Sequence, residues 1–303
     1  MTPHADARNV HRANLIGSLW MMAAMVAFSF EDAFVKAVSE THPVGQVLIV
    51  FGLGGTLLFA VIARIQKKSL LNPDVLSRAM GIRVVFEVIG RLFYVLALAL
   101  TPLSSTTAIL QATPIIVVLG AAILFGEKVG WRRWGAILIG LIGVLIILRP
   151  TTDSFSALSL LAVIGTIGFA GRDLASRAAP VSLSTSLLGF YGFVAIILAG
   201  VLFSIWDGKA FIWFNGKSLF YFLGAVLMGA FAYSALMKAM RSGDVSAVTP
   251  FRYTRLLFGI ALGMTLFGEE PDMMMMIGCG IVVLSGLFIL WRGKVTAQPV
   301  APR

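Results

Sequence analysis

The sequence predicts an all-α integral membrane protein with ten transmembrane helices, arranged as two inverted five-helix repeats. Three observations carry this prediction. The 303 residues are 58% hydrophobic and only 13% charged, about half the charged share of a soluble protein. Apolar runs of about 18–25 residues recur along the chain, as in membrane-spanning helices. The closing segment of the second half also repeats the closing segment of the first half.

Hydropathy places ten spans at regular intervals with short connections. Several prolines lie at or near span ends, where a missing amide hydrogen is tolerated. The first apolar run is too long for a signal-peptide core, so we expect it to be retained as a helix. The predicted spans are roughly 14–36, 44–64, 79–100, 102–125, 131–149, 156–175, 181–205, 218–240, 245–267 and 273–291.

The repeat is visible as ILFGEKVGWRRWGAILIGLIGVLIILR (Ile123–Arg149) and TLFGEEPDMMMMIGCGIVVLSGLFILWR (Thr265–Arg292). Glu127 corresponds to Glu269, and two glycines and the final arginine also correspond once one residue is inserted. Because each half holds an odd number of helices, the second half must be inverted in the membrane. Inverted repeats are typical of secondary transporters.

This pattern divides the chain into two repeats and two tails. The first repeat is predicted over 14–150 and the second over 151–292, with tails 1–13 and 293–303 that we expect to be disordered. With the N-terminus inside, sixteen Lys and Arg lie at inner segments and four at outer segments. The positive-inside rule therefore predicts that both termini are cytoplasmic.

Composition also limits the classes of function. The net charge of +10 is dispersed in short clusters between apolar runs, which argues against binding of nucleic acid. The chain has one cysteine and three scattered histidines, so neither a disulfide nor a histidine-based metal site is expected. Paired acids and Ser–His or Cys–His sets at membrane depth are absent from the sequence. We therefore expect no enzyme and no cofactor.

The chain resembles the EamA type of the drug/metabolite transporter superfamily. The resemblance rests on the FGE…G…G ending of each half, on EDAFVKAV at the end of the first span, and on TPLSSTTAILQATPI at the start of the fourth. It implies ten helices in the bacterial inner membrane and a cavity lined by spans 1, 3, 4, 6, 8 and 9. The segment PFRYTRLLFG resembles a subgroup that includes S-adenosylmethionine carriers.

Arg252 and Arg255 lie inside the ninth span. Counted from Val245, Arg255 lies about 15 Å into a hydrocarbon core about 30 Å thick. A central arginine costs about 2.5–3.5 kcal/mol on insertion scales, so we expect it to face a cavity or a partner. One interpretation is that both arginines, with Tyr253 beside them, bind a negatively charged group of a substrate. The alternative is that a structural carboxylate neutralises them.

The third span carries Arg83, Glu87 and Arg91 at intervals of four residues, on one stripe of the helix. The four arginines of the third and ninth spans, set against Glu87, leave three net positive charges. This excess favours an anionic or carboxylate-bearing ligand, with Arg91 among its contacts. The alternative is a structural ladder of ion pairs. Glu87 is accordingly either an ion-pair partner or a proton relay that responds to the substrate.

The fourth span places Gln111 one turn before Pro114. Pro114 removes the hydrogen bond to the Leu110 carbonyl, so we expect a bent helix and a free acceptor near mid-membrane. Gln111 offers a substrate both a donor and an acceptor. Pro250 is expected to act like Pro114 in the ninth span, although such kinks can also serve packing alone.

Further candidates lie at the first span and at the repeat endings. Trp20 is a candidate for stacking on a planar ligand, with a lipid or core position as the alternative. Asp32 and Lys36, spaced i,i+4 near the outer end, are expected to form an interfacial pair. Glu127 and Glu269 lie just outside helix ends, where each is expected to cap the following helix.

Together these features predict a secondary carrier that moves a small polar metabolite by alternating access between the two halves. An anionic or carboxylate-bearing compound is expected, of an amino-acid, nucleotide-related or S-adenosylmethionine-like kind. Its partners would be this substrate, the lipid bilayer and protons as a coupling ion. One alternative is an exporter of cationic drugs or other xenobiotics, and another is a membrane enzyme or lipid-handling protein.

Overall fold

The computed structural model describes residues 3–125, 131–148, 157–180, 182–242 and 249–295. Within these ranges every regular element is helical. Two of them are 3₁₀ turns, at Pro73–Leu76 and Thr249–Tyr253. The α-helices are α1 (Pro3–Ser39), α2 (Val44–Ile65), α3 (Arg78–Leu100), α4 (Leu103–Leu110), α5 (Thr113–Phe125), α6 (Trp131–Leu148), α7 (Ser159–Arg177), α8 (Thr185–Asp207), α9 (Gly216–Ser242), α10 (Thr254–Phe267) and α11 (Met273–Val295).

Over the described ranges these helices follow the ten predicted spans. Helices α4 and α5 together form the fourth span, and the 3₁₀ turn with α10 forms the ninth. Four segments, at 15–39, 44–65, 185–207 and 216–239, are long and apolar enough to cross a membrane by themselves. The expectation of a disordered tail over 1–13 is wrong from Pro3 onward, because α1 begins there.

The packing of the helices shows the inverted repeat. Helix α1 packs on α9, and α3 packs on α7. Helices α1 and α3 are spans 1 and 3 of the first repeat, and α7 and α9 are the corresponding spans 6 and 8 of the second repeat. The α1–α9 contact therefore has the α3–α7 contact as its counterpart when the two repeats are exchanged. The contacts of α2 with α8, α4 with α10, and α6 with α11 pair corresponding spans directly. The contact map therefore has the two-fold pattern of inverted repeats.

Side-chain contacts between the connections define the two ends of the bundle. At the α1–α2 end, the Gln46 amide donates to the Ile212 carbonyl at 2.7 Å and its oxygen accepts from the Ile212 N–H at 2.9 Å. At the opposite, α2–α3 end, the Tyr191 hydroxyl donates to the Leu70 carbonyl at 2.9 Å. These two ends are called the α1–α2 end and the α2–α3 end.

Helices α3 and α7 approach one another closely through two glycines. A Cβ atom added to Gly168 would lie 2.4 Å from the Gly90 Cα atom, so the two backbones are in direct contact. Side chains that follow these glycines in sequence, Arg91 on α3 and Phe169 on α7, are thereby brought to the same cavity. The glycine contact thus positions part of the site described next.

The fourth span is broken where Pro114 was expected to bend it. Helix α4 ends at Leu110 and α5 begins at Thr113, which leaves a two-residue turn inside the span. The Leu110 carbonyl is not a free acceptor, contrary to expectation. The Thr113 hydroxyl donates to it at 2.6 Å, because a local side chain can replace the amide that proline lacks.

Candidate functional site

A small cavity lies between the two repeats. Its volume is about 50 Å³, enough for a few water molecules and well below the 300–1,000 Å³ typical of ligand pockets. Six spans supply its walls, and they are the same spans 1, 3, 4, 6, 8 and 9 that the family resemblance implies. The lining residues are Met25, Phe28, Glu31, Arg91, Leu110, Gln111, Thr113, Pro114, Phe169, Arg172, Leu236, Arg252 and Arg255.

Arg255 on α10 forms a two-pronged ion pair with Asp32 on α1. Its Nε donates to Asp32 Oδ2 at 2.9 Å, and Nη2 donates to Oδ1 at 2.7 Å and to Oδ2 at 2.6 Å. The Tyr94 hydroxyl adds a donor to Asp32 at 3.1 Å, and the guanidinium lies 4.8 Å from the Phe28 ring centroid. Asp32 is fully buried. The carboxylate therefore offsets the cost of placing Arg255 at membrane depth.

Arg91 on α3 pairs with Glu31, the neighbour of Asp32 on α1. Arg91 Nη1 donates to Glu31 Oε1 at 2.6 Å, and the guanidinium lies over the rings of Phe51 and Phe169. Each partner keeps one buried atom without a hydrogen bond among the described residues, Glu31 Oε2 and Arg91 Nε. Both side chains also line the cavity.

A chain of ion pairs closes the cavity toward the α2–α3 end. Glu87 accepts from Arg172 at 3.2 Å, and Asp173 accepts from Arg172 and from Arg252, each at 2.9 Å. Helices α3 and α7 and the 3₁₀ turn before α10 are thus joined by alternating charges. Arg172 also lies 4.8 Å from the Phe169 ring, which places it at the cavity wall.

Arg83 extends this chain at the α2–α3 end. It pairs with Glu87 at 3.4 Å, and donates to the Ser176 hydroxyl at 2.9 Å, the Leu188 carbonyl at 3.2 Å and the Tyr233 hydroxyl. Its side chain is fully buried inside the bundle. Arg83 ties α3 to α7, α8 and α9.

The structure revises the predicted excess of three positive charges. Five arginines (83, 91, 172, 252 and 255) meet four carboxylates (Glu31, Asp32, Glu87 and Asp173). One net positive charge remains, because the sequence count left out Arg172 and three of the carboxylates. Among the described residues no group of three His, Cys, Asp or Glu side chains could hold a metal ion.

The predicted site residues fall into three groups. Arg91, Gln111, Arg252 and Arg255 line the cavity together with Pro114. Glu87 and Arg83 belong to the ion-pair chain that closes it. Tyr253 packs against Ala112 and Ile116, and Trp20 lies under the Lys238 ammonium at 4.3 Å; neither lines the cavity. Pro250 lies in the 3₁₀ turn Thr249–Tyr253, before α10 begins.

Two predicted roles at the α1–α2 end are wrong. Asp32 and Lys36 do not pair. Asp32 faces Arg255, whereas the Lys36 ammonium donates to the Leu98 and Thr101 carbonyls at 3.2 and 2.8 Å. Glu269 caps α4 rather than the following helix, α11, and Glu127 lies outside the described residues.

Sequence reasoning missed Glu31, Arg172 and Asp173 as parts of the site. Both local signals were present, since adjacent charges interrupt apolar runs at Glu31–Asp32 and at Arg172–Asp173. Ionisable residues within a membrane span mark functional positions by default. The positive-inside count includes Arg172 among the inner basic residues, and Asp32 is predicted in an interfacial pair, so the sequence analysis assigns neither residue to the site.

Comparisons with known proteins agree with this architecture. The model of the EamA-like transporter family matches residues 15–149 and again 157–291. A riboflavin transporter of Vibrio cholerae is 31% identical over 92% of this chain and 95% of its own length. An S-adenosylmethionine uptake transporter of Rickettsia prowazekii is 25% identical, covering 92% and 94%.

The chain is also similar to an exporter and to a solved structure. A pseudopaline exporter of Pseudomonas aeruginosa is 26% identical over 92% of this chain and 96% of its own. A solved crystal structure shares the fold with a TM-score of 0.67 at 18% identity, covering 93% of this chain and 99% of that one. With both halves matched by the family model, the chain belongs to the EamA-like transporter family, a group of membrane transporters and not of enzymes.

Proposed function

We propose that this protein is a secondary carrier that moves a small polar metabolite, bearing a carboxylate or similar oxygen-rich group, across the bacterial inner membrane by alternating access. The observation that carries the proposal is the cavity between the two repeats, where Arg91, Arg172, Arg252 and Arg255 converge. Planar guanidinium groups bind carboxylates with two parallel hydrogen bonds, and the low dielectric of the site strengthens such contacts.

The paired carboxylates explain how arginines can serve a substrate without remaining unpaired in its absence. Asp32 forms an ion pair with Arg255, and Asp173 forms one with Arg252. A substrate carboxylate would take over one of these guanidiniums and loosen the helices that the pair joins. Because the cavity of about 50 Å³ is too small for a metabolite, binding requires such opening. Substrate recognition is thereby coupled to movement between the repeats.

Glu31 narrows the proposed substrate further. Its second carboxylate oxygen lacks a hydrogen bond among the described residues. An N–H group of the substrate would supply the missing donor. The side chains of Phe28 and Phe169 also line the cavity, and aromatic side chains pack well against a flat ring. Riboflavin and S-adenosylmethionine, the compounds named for two relatives, both carry a flat nitrogen heterocycle with hydrogen-bond donors.

A cation exporter fits these contacts less well. Such a carrier needs an acidic residue that is free of basic partners at membrane depth. Each of the four carboxylates in the described site contacts at least one arginine. The balance of one positive charge likewise disfavours a cationic substrate that lacks a carboxylate or a similar oxygen-rich group.

Orientation follows from the positive-inside rule, which places the α1–α2 end outside and both termini inside. Reporter fusions made after Gly208, in the α8–α9 connection, and after Lys294, near the end of α11, are expected to report opposite sides of the membrane. Alkaline phosphatase should be active at Gly208 and green fluorescent protein at Lys294. The inverted-repeat topology is contradicted if both positions report the same side.

The substrate class is tested by transport in cells that lack endogenous carriers. Labelled riboflavin, S-adenosylmethionine and a panel of labelled carboxylates are offered for uptake, and the same compounds are followed as efflux from preloaded cells. Saturable, expression-dependent flux of at least one compound is expected. If none of them moves in either direction, the proposed substrate class is wrong.

A further inference from the structure

The FGE sequence of the second repeat forms a specific structure at the α1–α2 end. Phe267 ends α10, and Gly268 follows it in the left-handed conformation with φ +62°. A residue with a Cβ atom adopts that conformation only at a cost, so glycine is favoured there. The turn brings Glu269 back over its own helix, with its N–H bonded to the Gly263 carbonyl at 3.1 Å.

Glu269 uses this position to cap α4, a helix of the other repeat. Its carboxylate accepts the N–H groups of Leu103 at 2.5 Å and Ser104 at 2.9 Å, and the Ser104 hydroxyl at 2.6 Å. The N-cap residue of α4 is Pro102, which has no side-chain group that could accept a hydrogen bond from the first amides of the helix. The first amides of α4 therefore depend on a carboxylate 165 residues away in sequence.

Lys36 completes the same corner with the opposite charge. Its ammonium donates to the Leu98 and Thr101 carbonyls where α3 ends, and it lies 5.3 Å from the Phe267 ring. A cation thus meets the carbonyl end of α3 while an anion meets the amide end of α4, as the two helix dipoles favour. The corner between α3 and α4 is held from both sides.

Helix α4 is short and is bounded by the Glu269 cap and by a break in the span. It is only eight residues long, and the turn at 111–112 separates it from α5. Its last residue, Leu110, lines the cavity. A short helix fixed by a cap at one end and by a break at the other can pivot about the break. We propose that Glu269 is the gating residue of the carrier: its cap on α4 closes the cavity toward the α1–α2 end, and the cap breaks when the cavity opens to that side.

This proposal rests on alternating access, but its test needs no substrate. The reporter is Leu236→Cys on α9, a buried cavity-lining position outside α4, in a Cys279→Ser background because Cys279 is the sole cysteine. A membrane-impermeant methanethiosulfonate reagent is added outside intact cells. Adding Glu269→Ala is expected to raise the labelling rate at least about ten-fold, because a charge-assisted cap of three hydrogen bonds is lost.

Two matched variants separate gating from general loosening. Glu270→Ala, at the adjacent exposed residue, should leave the rate unchanged. Ser104→Ala removes one of the three hydrogen bonds, so it should raise the rate less than Glu269→Ala, and it covers the case in which Glu269→Ala does not fold. The proposal is overturned if folded Glu269→Ala labels at the parent rate, or if Glu269→Ala fails to fold and Ser104→Ala labels at the parent rate. Absence of transport would contradict the proposed function without changing these labelling rates.

Discussion

Arg255→Lys is expected to lose at least about ten-fold in substrate affinity while it folds like the wild type. Lysine keeps the positive charge for Asp32 but cannot reproduce the two-pronged contact, in which Nε and Nη2 both reach the carboxylate. It also loses the planar stacking on Phe28. Arg252→Lys should be milder, because Arg252 shares Asp173 with Arg172. Equilibrium binding and the melting temperature are measured side by side.

The control separates substrate binding from the structural ion pair. Arg255→Ala should lower the melting temperature, because buried Asp32 loses its main partner at a cost of about 3–5 kcal/mol. The double variant Arg255→Gln with Asp32→Asn removes both charges, so stability should largely return while binding does not. Normal affinity in a stable Arg255→Ala protein would exclude Arg255 from the substrate site.

Glu87→Gln is expected to destabilise the protein strongly. Glu87 is 2% exposed and lies between Arg83 at 3.4 Å and Arg172 at 3.2 Å, so both arginines lose a carboxylate partner, although Arg172 keeps Asp173. Breaking a buried pair costs about 3–5 kcal/mol, which corresponds to a fall in melting temperature on the order of 10 °C. Asp74→Asn, at a carboxylate outside this network, serves as the control.

The same variant tests the proposal that protons drive transport through Glu87. Glu87 is held between Arg83 and Arg172 in the ion-pair chain, so its loss is expected to disturb the packing of the helices that both functions need. We therefore expect pH-driven accumulation and substrate exchange to fall together in Glu87→Gln. A stable variant that has lost accumulation but keeps exchange would show instead that Glu87 carries the coupling proton.

The spans were predictable from sequence because hydropathy is a local property. The break near Pro114 was predictable for the same reason, since proline acts on the amide and carbonyl of its own turn. The partner of Arg255 was not, because Asp32 lies 223 residues away and only the packing of α1 on α10 brings them together. The sequence pattern indicated that Arg255 is buried, but it could not show that Asp32 is the carboxylate that pairs with it.

The depth of Asp32 shows a second limit. Hydropathy ended the first span near residue 36, which placed Asp32 one turn from the membrane interface. Helix α1 continues to Ser39, so Asp32 lies about 10 Å before its end. Span boundaries carry errors of several residues, and an error of one turn moved this carboxylate from the site to the surface. The predicted charge of the site omitted Asp32 for that reason.

Substrate protection of a cysteine in the cavity tests the central claim most directly. Purified Leu236→Cys in the Cys279→Ser background is labelled with a soluble maleimide, with and without the compound found by the transport screen at saturation. Leu227→Cys, on the same helix α9 but 54% exposed, serves as the control. The substrate is expected to slow labelling at position 236 at least about ten-fold and to leave position 227 unaffected. Equal labelling rates at position 236 with and without saturating substrate would contradict a binding site between the repeats.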